Sequence, residues 1–213
     1  MSESNRVSIP VNGVTLPGDL TVPEAPTGLV VFAHGSGSSK ESPRNQFVAA
    51  SLADRGLATL LFDLLTEVED RDRANRFDIE LLTDRLLAAR SWIETREAIA
   101  ALPVGYFGSS TGAAAALRAA ARRPGNVSAV VARGGRVDLA GDALPDVRAP
   151  TRMIVGGADE SVLAMNREAR GAMTCETDLA VVEGAGHLFE GEGELEEVAA
   201  LAGDWFASVL GGD

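Results

Sequence analysis

The chain has 213 residues and a formal charge of −12, with 31 acidic side chains against 19 basic ones. This balance argues against a nucleic acid or an anionic membrane as the partner, because both require a basic surface. The single cysteine, Cys175, excludes an intramolecular disulfide. The chain opens without a basic segment followed by an apolar run, and no apolar stretch approaches membrane-spanning length, so we expect a cytoplasmic protein.

The first elements form a predicted β-hairpin over about residues 6–23. Val7, Ile9 and Val11 alternate with polar residues, and a second alternating run extends from Val14 to Val22. Asn12-Gly13 separates the two runs, which is a strong hairpin signal between alternating segments.

After the hairpin, short solidly apolar runs alternate with helical patterns. Apolar residues recur every three or four positions from Ile79 to Ile93 and again from Leu195 to Val209, as one face of a helix requires. The pattern predicts an α/β fold in a single domain over residues 1–213, with a mostly parallel twisted sheet of about eight strands and helices on both faces. The predicted strands of this part are Leu29 to Ala33, Ala58 to Phe62, Val104 to Phe107, Ala129 to Ala132, Met153 to Val155 and Leu179 to Val182.

The strongest chemical signal is Gly108-Ser109-Ser110-Thr111-Gly112, a match to G-x-S-x-G. The motif lies between an apolar strand and an alanine-rich helix, which is the context of a nucleophile elbow. Bulky side chains at the two glycine positions would collide in so tight a turn. We therefore predict Ser110 as a nucleophile; the alternative is a glycine-rich turn in which Ser110 only caps the helix.

A second motif, His34-Gly35-Ser36-Gly37, directly follows the first long apolar strand. We predict an oxyanion hole formed by the backbone N–H groups of Ser36 and Thr111, with His34 in a structural role. A phosphate-binding loop is the rival interpretation, but it requires Gly-Lys-Ser/Thr, whereas here Ser39 precedes Lys40 and Glu41 follows it.

A base and an acid complete the predicted triad. His187 follows the last apolar strand, and Asp159 follows the strand before it. The chain order Ser, Asp, His is the order of α/β-hydrolases, and each residue follows the C-terminal end of its strand, where sites in open α/β sheets form. Asp138, after the strand at Ala129, is the alternative acid.

Three arginines, Arg44, Arg133 and Arg136, are expected in loops on the active-site side of the sheet. Guanidinium groups pair well with planar anions, so these side chains are candidates for binding a carboxylate or phosphate of the substrate. The alternative is that they pair with loop acids such as Asp63 and Asp138.

These motifs together resemble the α/β-hydrolase superfamily, and more narrowly its dienelactone-hydrolase-related branch. The resemblance spans nearly the whole chain. It implies hydrolysis of a small ester, lactone or related carbonyl compound without a cofactor or metal, through an acyl-enzyme on Ser110. Dienelactone hydrolases carry a cysteine nucleophile where this chain has Ser110, which makes dienelactone itself a doubtful substrate.

Several alternatives stay open at the level of sequence. Only about twenty residues separate the strands at Ala129 and Met153, so we expect no lid domain over the site. The same triad supports thioesterase or acyl-transfer activity, and some relatives with this fold are non-catalytic binding proteins. The partner is expected to be a small molecule, and a homodimer is compatible with the sequence.

Overall fold

The computed structural model describes residues 3–211, which form one eight-stranded sheet in the order β1-β2-β4-β3-β5-β6-β7-β8. Strands β3 to β8 run parallel, whereas β1 and β2 are antiparallel neighbours at one edge. This confirms the predicted mostly parallel sheet. The strands are β1 Glu3–Val11, β2 Val14–Val22, β3 Gly28–Ala33, β4 Leu57–Phe62, β5 Val104–Ser109, β6 Ala129–Arg133, β7 Thr151–Gly156 and β8 Thr177–Val182.

The predicted hairpin is present with its turn at Asn12-Gly13. Both turn residues have positive φ, 45° for Asn12 and 84° for Gly13, and Val11 pairs with Val14 across the turn. Asn and Gly adopt this backbone more readily than other residues, which explains why the chain reverses here.

Helices cover both faces of the sheet. They are α1 Pro43–Asp54, α2 Glu67–Asp70, α3 Arg73–Phe77, α4 Ile79–Glu94, α5 Thr111–Arg122, α6 Glu160–Ala172 and α7 Glu194–Leu210, with a 3₁₀ segment at Val137–Asp146. Between β6 and β7, this 3₁₀ segment is the one helical element, so the described part of the chain carries no lid domain there. None of the described helices is both long enough and apolar enough to cross a bilayer.

The core consists of two layers on opposite faces of the sheet. Val104 and Tyr106 of β5 pack in the layer beneath α4 and α5, whereas Phe107 packs in the layer with α1 and α7. Because both faces of the strand are buried, its sequence is apolar without alternation. The loops at the C-terminal ends of β3, β5, β6, β7 and β8 therefore lie at the same end of the sheet.

Candidate active site

Ser110 occupies a strained turn between β5 and α5. Its φ of 50° and ψ of −119° are unfavourable for a non-glycine residue. Ser110 stands at the N-cap position of α5, yet its side chain makes no capping hydrogen bond. The Ser110 N–H instead donates to the carbonyl of Arg133, and the Ser110 carbonyl accepts from the N–H of Arg136. The turn therefore presents a half-buried hydroxyl that helix capping does not use.

The two glycines of the motif permit close approach of backbone to backbone. A Cβ at Gly108 would lie 2.5 Å from Cα of Ala113, and one at Gly112 would lie 2.1 Å from the carbonyl oxygen of Ala33. Both distances are far inside van der Waals contact. The helix can start this close to the end of β3 only because these positions carry no side chain.

The two predicted oxyanion donors are available. Within residues 3–211, neither the Ser36 N–H nor the Thr111 N–H donates a hydrogen bond to another protein group. Gly35 brings the two loops together, because a Cβ there would lie 3.1 Å from Cβ of Ser110. Unpaired backbone N–H groups at a helix N-terminus are well suited to stabilise a negatively charged oxygen.

His34 stabilises this loop through hydrogen bonds of its buried ring. It is buried, and its Nε2 accepts a hydrogen bond of 3.0 Å from the N–H of Leu64, while its Nδ1 lies 3.0 Å from the carbonyl oxygen of Gly35. The two contacts require a neutral ring with the proton on Nδ1. Burial lowers the pKa of His34 below its ordinary value, in agreement with a neutral structural histidine.

His187 and Asp159, the predicted base and acid, are in hydrogen-bond contact. His187 Nδ1 lies 2.7 Å from Asp159 Oδ2, with the His187 side chain 39% exposed and the Asp159 side chain 13% exposed. Asp159 is the N-cap residue of α6, but its carboxylate makes no capping bond there because it is directed towards His187. The alternative acid, Asp138, binds Arg136 instead, and this ion pair lowers the pKa of Asp138.

Backbone contacts bring the loops of Asp159 and His187 together. The N–H of Gly157 donates to the carbonyl of Val182, and the N–H of Ala158 donates to that of Ala185. A Cβ at Gly156 would lie 2.3 Å from the carbonyl oxygen of Ala185, so the loops pack without any side chain between them. Twenty-eight positions along the chain separate Asp159 from His187, and these contacts close that gap.

The imidazole of His187 also packs against Gly134, the residue that follows β6. A Cβ at Gly134 would lie 3.3 Å from Cε1 of His187. Because Arg133, next to Gly134, binds the Ser110 backbone, the predicted base and the predicted nucleophile share one supporting segment. Within the described residues, no hydrogen bond joins the Ser110 hydroxyl to His187. Catalytic hydrogen bonds of this kind are often loose without substrate.

The three candidate arginines have different surroundings. Arg136 binds both carboxylate oxygens of Asp138, at 2.9 and 2.8 Å. Arg44 donates to the carbonyl of Leu188 and to Glu190, each at 3.0 Å. Arg133 is buried and has no acidic partner within 4 Å among residues 3–211.

The prediction that all three arginines lie in loops is wrong for two of them. Arg44 belongs to the first turn of α1, which begins at Pro43 after a Ser42 cap. Arg133 is the last residue of β6, because its backbone continues the register with Ser109 and Ile154 of the neighbouring strands.

Two further residues of the site were not foreseen from the sequence. The Ser109 hydroxyl donates to Oδ1 of Asn45 at 3.1 Å and accepts from Nε of Arg133 at 3.3 Å, and all three residues are buried. In the G-x-S-x-G pattern, Ser109 is only a variable position. Asn45 lies three residues before Val48, the first buried apolar residue of α1, and nothing in its neighbourhood marks it as buried.

In the described part of the chain, no three His, Cys, Asp or Glu side chains are grouped so that they could hold a metal ion. Cys175, just before β8, is partly buried against the core, and burial raises the pKa of its thiol.

Comparison with known proteins places this arrangement in a family. Two proteins of Mycobacterium tuberculosis, each named "Putative phosphoribosyl transferase", are 57% identical over 207 residues, which is 97% of this chain and 47% of theirs. This chain thus spans about half the length of these relatives. The solved structure of dienelactone hydrolase from Anabaena variabilis is 51% identical, covers 98% of both chains and superimposes with a TM-score of 0.95.

More distant structures share the fold. Est1E from Butyrivibrio proteoclasticus is 16% identical, covers 95% of this chain and 98% of its own, and has a TM-score of 0.82. Residues 16–210 match the dienelactone hydrolase family as a whole. The chain therefore belongs to the dienelactone hydrolase family and has the α/β-hydrolase fold.

Proposed function

We propose that this protein is a serine hydrolase that cleaves a small ester, lactone or related carbonyl compound through an acyl-enzyme on Ser110. The observation that carries the proposal is the strained Ser110 turn, whose hydroxyl makes no capping bond, beside a His187–Asp159 pair at 2.7 Å. Backbone strain at a single serine is costly and persists mainly where function requires it. Membership of the dienelactone hydrolase family supports the same reaction class.

The mechanism follows from the roles of the groups. Nε2 of His187 takes the proton of the Ser110 hydroxyl as its oxygen attacks the carbonyl carbon, while Asp159 accepts from Nδ1–H and stabilises the imidazolium. The N–H groups of Ser36 and Thr111 donate to the tetrahedral oxyanion, and each such donor is worth about 3–4 kcal/mol of barrier.

Collapse of this intermediate breaks the bond between the acyl carbon and the alkoxy oxygen of the ester, and His187 gives its proton to the leaving alkoxide. A water molecule, deprotonated by His187, then attacks the acyl-enzyme and releases the acid and the free serine. Every proton transfer uses the same imidazole, so the reaction needs no cofactor.

The test compares wild type with Ser110→Ala on p-nitrophenyl acetate and butyrate. Ser208→Ala is the control, because this serine donates to a helix carbonyl at Trp205, away from the site. We expect the Ser110→Ala variant to fall to background while the Ser208→Ala variant keeps wild-type turnover. Equal activity of wild type and Ser110→Ala would contradict the proposal.

Labelling with a fluorophosphonate probe separates an enzyme from a non-catalytic binding protein. The favoured outcome is one added phosphonyl group on wild type, located at Ser110 by peptide mass spectrometry. A protein that is never labelled supports the binding role instead. Parallel assays on an ester and on the thioester of the same acid distinguish an esterase from a thioesterase or acyltransferase.

The arginines bear on the polarity of the substrate. An anionic group would have to replace Glu190 at Arg44 or Asp138 at Arg136, so binding there exchanges one carboxylate for another. Arg44 and Arg136 are therefore kept as candidates for binding an anionic group of the substrate. Comparison of Arg44→Met and Arg136→Met with wild type on a charged and a neutral ester tests this role. A cytoplasmic location remains a proposal that cell fractionation tests.

A further inference from the structure

Arg133 lies beside the predicted triad and is a buried cation without a counter-ion among residues 3–211. It is 8% exposed, and its Nη1 has no hydrogen-bond partner in the described structure. Burial, together with the nearby positive charge of Arg44, lowers the pKa of Arg133 to about 10. A buried charge with no ionic partner is energetically unfavourable, so a purely structural position would be better filled by an apolar side chain.

The contacts of Arg133 reach both loops that carry the predicted catalytic groups. On one side, its Nε donates to the hydroxyl of Ser109 at 3.3 Å, and its carbonyl accepts from the N–H of Ser110 at 3.1 Å. On the other side, its guanidinium lies 5.6 Å from the ring centroid of Phe189, two residues beyond His187. Phe189 is 2% exposed, so its ring is held by the surrounding residues. Its φ of 52° is unfavourable for a non-glycine residue.

The hydrogen-bond chain continues beyond the elbow. Ser109, whose hydroxyl accepts from Arg133, donates in turn to Asn45 of α1. The guanidinium therefore joins three segments that are distant in sequence: the N-terminal turn of α1, the nucleophile turn and the loop after β8. Arginine can do this because its planar group offers an edge for a hydrogen bond and a face for an aromatic ring.

We propose that Arg133 is a positioning residue, which holds the Ser110 turn and the His187 loop in the mutual arrangement that proton transfer requires. The proposal rests on the proposed function of Ser110 and His187. It assigns Arg133 no contact with substrate, and it explains why an unpaired charge is kept at this point of the fold.

The test measures kcat and KM for phenyl acetate with Arg133→Met, Arg133→Lys and Ser109→Ala. Arg152→Met is the matched control, because Arg152 also covers an aromatic ring, 4.7 Å from the Trp205 centroid, but at the start of β7. We expect Arg133→Met to lower kcat at least tenfold with KM changed less than twofold. Arg133→Lys restores little, because lysine lacks the planar edge and face, and the control keeps its kcat.

The double variant Arg133→Met with Ser109→Ala supplies a readout that simple destabilisation would not move. If Arg133 acts through Ser109, the loss of kcat in the double variant is smaller than the product of the two single losses. Fully multiplicative losses would overturn the proposal, as would an equal loss of kcat in Arg152→Met at matched thermal stability.

Two further measurements separate this proposal from its competitors. Hydrolysis of 3-acetoxybenzoate and its methyl ester compares a charged with a neutral substrate. A loss in Arg133→Met confined to the charged ester would overturn the positioning role and assign Arg133 to substrate binding.

Hydrogen–deuterium exchange of peptides covering residues 183–191 does not depend on turnover. We expect faster exchange in Arg133→Met and unchanged exchange in Arg152→Met. Unchanged exchange in both would overturn the proposal. If wild type hydrolyses no ester and Ser110 is never labelled, the proposed function fails, while exchange still decides whether Arg133 holds the loop.

Discussion

Gly134 is the position where a single added methyl group would test the geometry of His187, the predicted base. Its φ is +52°, and a Cβ there would lie 3.3 Å from Cε1 and 3.4 Å from Nδ1 of His187. Gly134→Ala therefore has two consequences. The left-handed backbone costs an L-residue about 1–2 kcal/mol, and the methyl group presses on the imidazole that binds Asp159.

The size of the catalytic effect follows from these distances. A contact of 3.3 Å is tighter than most real Cβ contacts, so the ring must move by a few tenths of an ångström. The 2.7 Å bond from Nδ1 to Asp159 Oδ2 then lengthens or tilts. A misplacement of about 1 Å costs about 100-fold in rate, so we expect kcat to fall about tenfold.

Gly125→Ala separates the two effects. Gly125 has a φ of +87°, and no atom of the described residues lies within 4 Å of an added Cβ. It lies between α5 and β6, at the end of the sheet opposite the site. Both variants should lose a similar free energy of unfolding, measured by urea denaturation, because both place alanine at positive φ. Only Gly134→Ala should lose kcat on p-nitrophenyl butyrate. Full activity in Gly134→Ala, or an equal loss in Gly125→Ala, would refute the reasoning.

Three other substitutions probe separate features. Asp159→Asn should lower kcat by about 10³–10⁴-fold, because an amide cannot fix the tautomer of His187 as a carboxylate does. A much smaller loss of kcat in steady-state kinetics would contradict this. Tyr106→Phe should raise the free energy of unfolding by about 1 kcal/mol, since the buried Tyr106 hydroxyl has no hydrogen-bond partner in the described part of the chain; a clear loss of stability in urea denaturation would speak against this. For His34, whose pKa is lowered by burial, the unfolded chain binds a proton near pH 6.5 before the folded chain does, so stability falls as pH drops below 6.5. In a His187→Gln background, His34→Gln should remove that fall, and an unchanged slope in urea midpoint between pH 7.5 and 5.5 would contradict it.

Much of the fold could be predicted because the buried strands have a simple signature. Strands β3 to β7 are apolar on both faces, and their solid runs differ from the helical spacing of α4 and α7. The short helices α2 and α3 were not foreseen, since they bury no residue and show no apolar period. They begin instead at capping residues, Thr66 and Asp72, whose signals are weak without a following apolar face.

The triad could be predicted because each of its residues follows an apolar strand and has glycines close by that indicate a turn. Their support could not be found in the same way. Arginine is among the least buried residue types, so a pattern-based analysis assigns Arg133 to the surface. Its burial depends on Ser109, Asn45 and Phe189, which come from three other segments of the chain. A sequence motif cannot encode such a contact, because none of these residues has a fixed spacing from Arg133.

This difference determines how the site should respond to mutation. The predicted catalytic side chains make few contacts of their own: Ser110 has no capping bond, and the described hydrogen bonds of the His187 ring consist of the one to Asp159. Their placement comes from backbone packed on backbone at Gly112 and Gly156, where a Cβ would lie 2.1 and 2.3 Å from a carbonyl oxygen. Substitution of a catalytic side chain should therefore abolish turnover with little loss of stability, whereas alanine at either glycine should reduce both. A site built in this way keeps its strain in the backbone, which leaves the reactive groups free to contact the substrate.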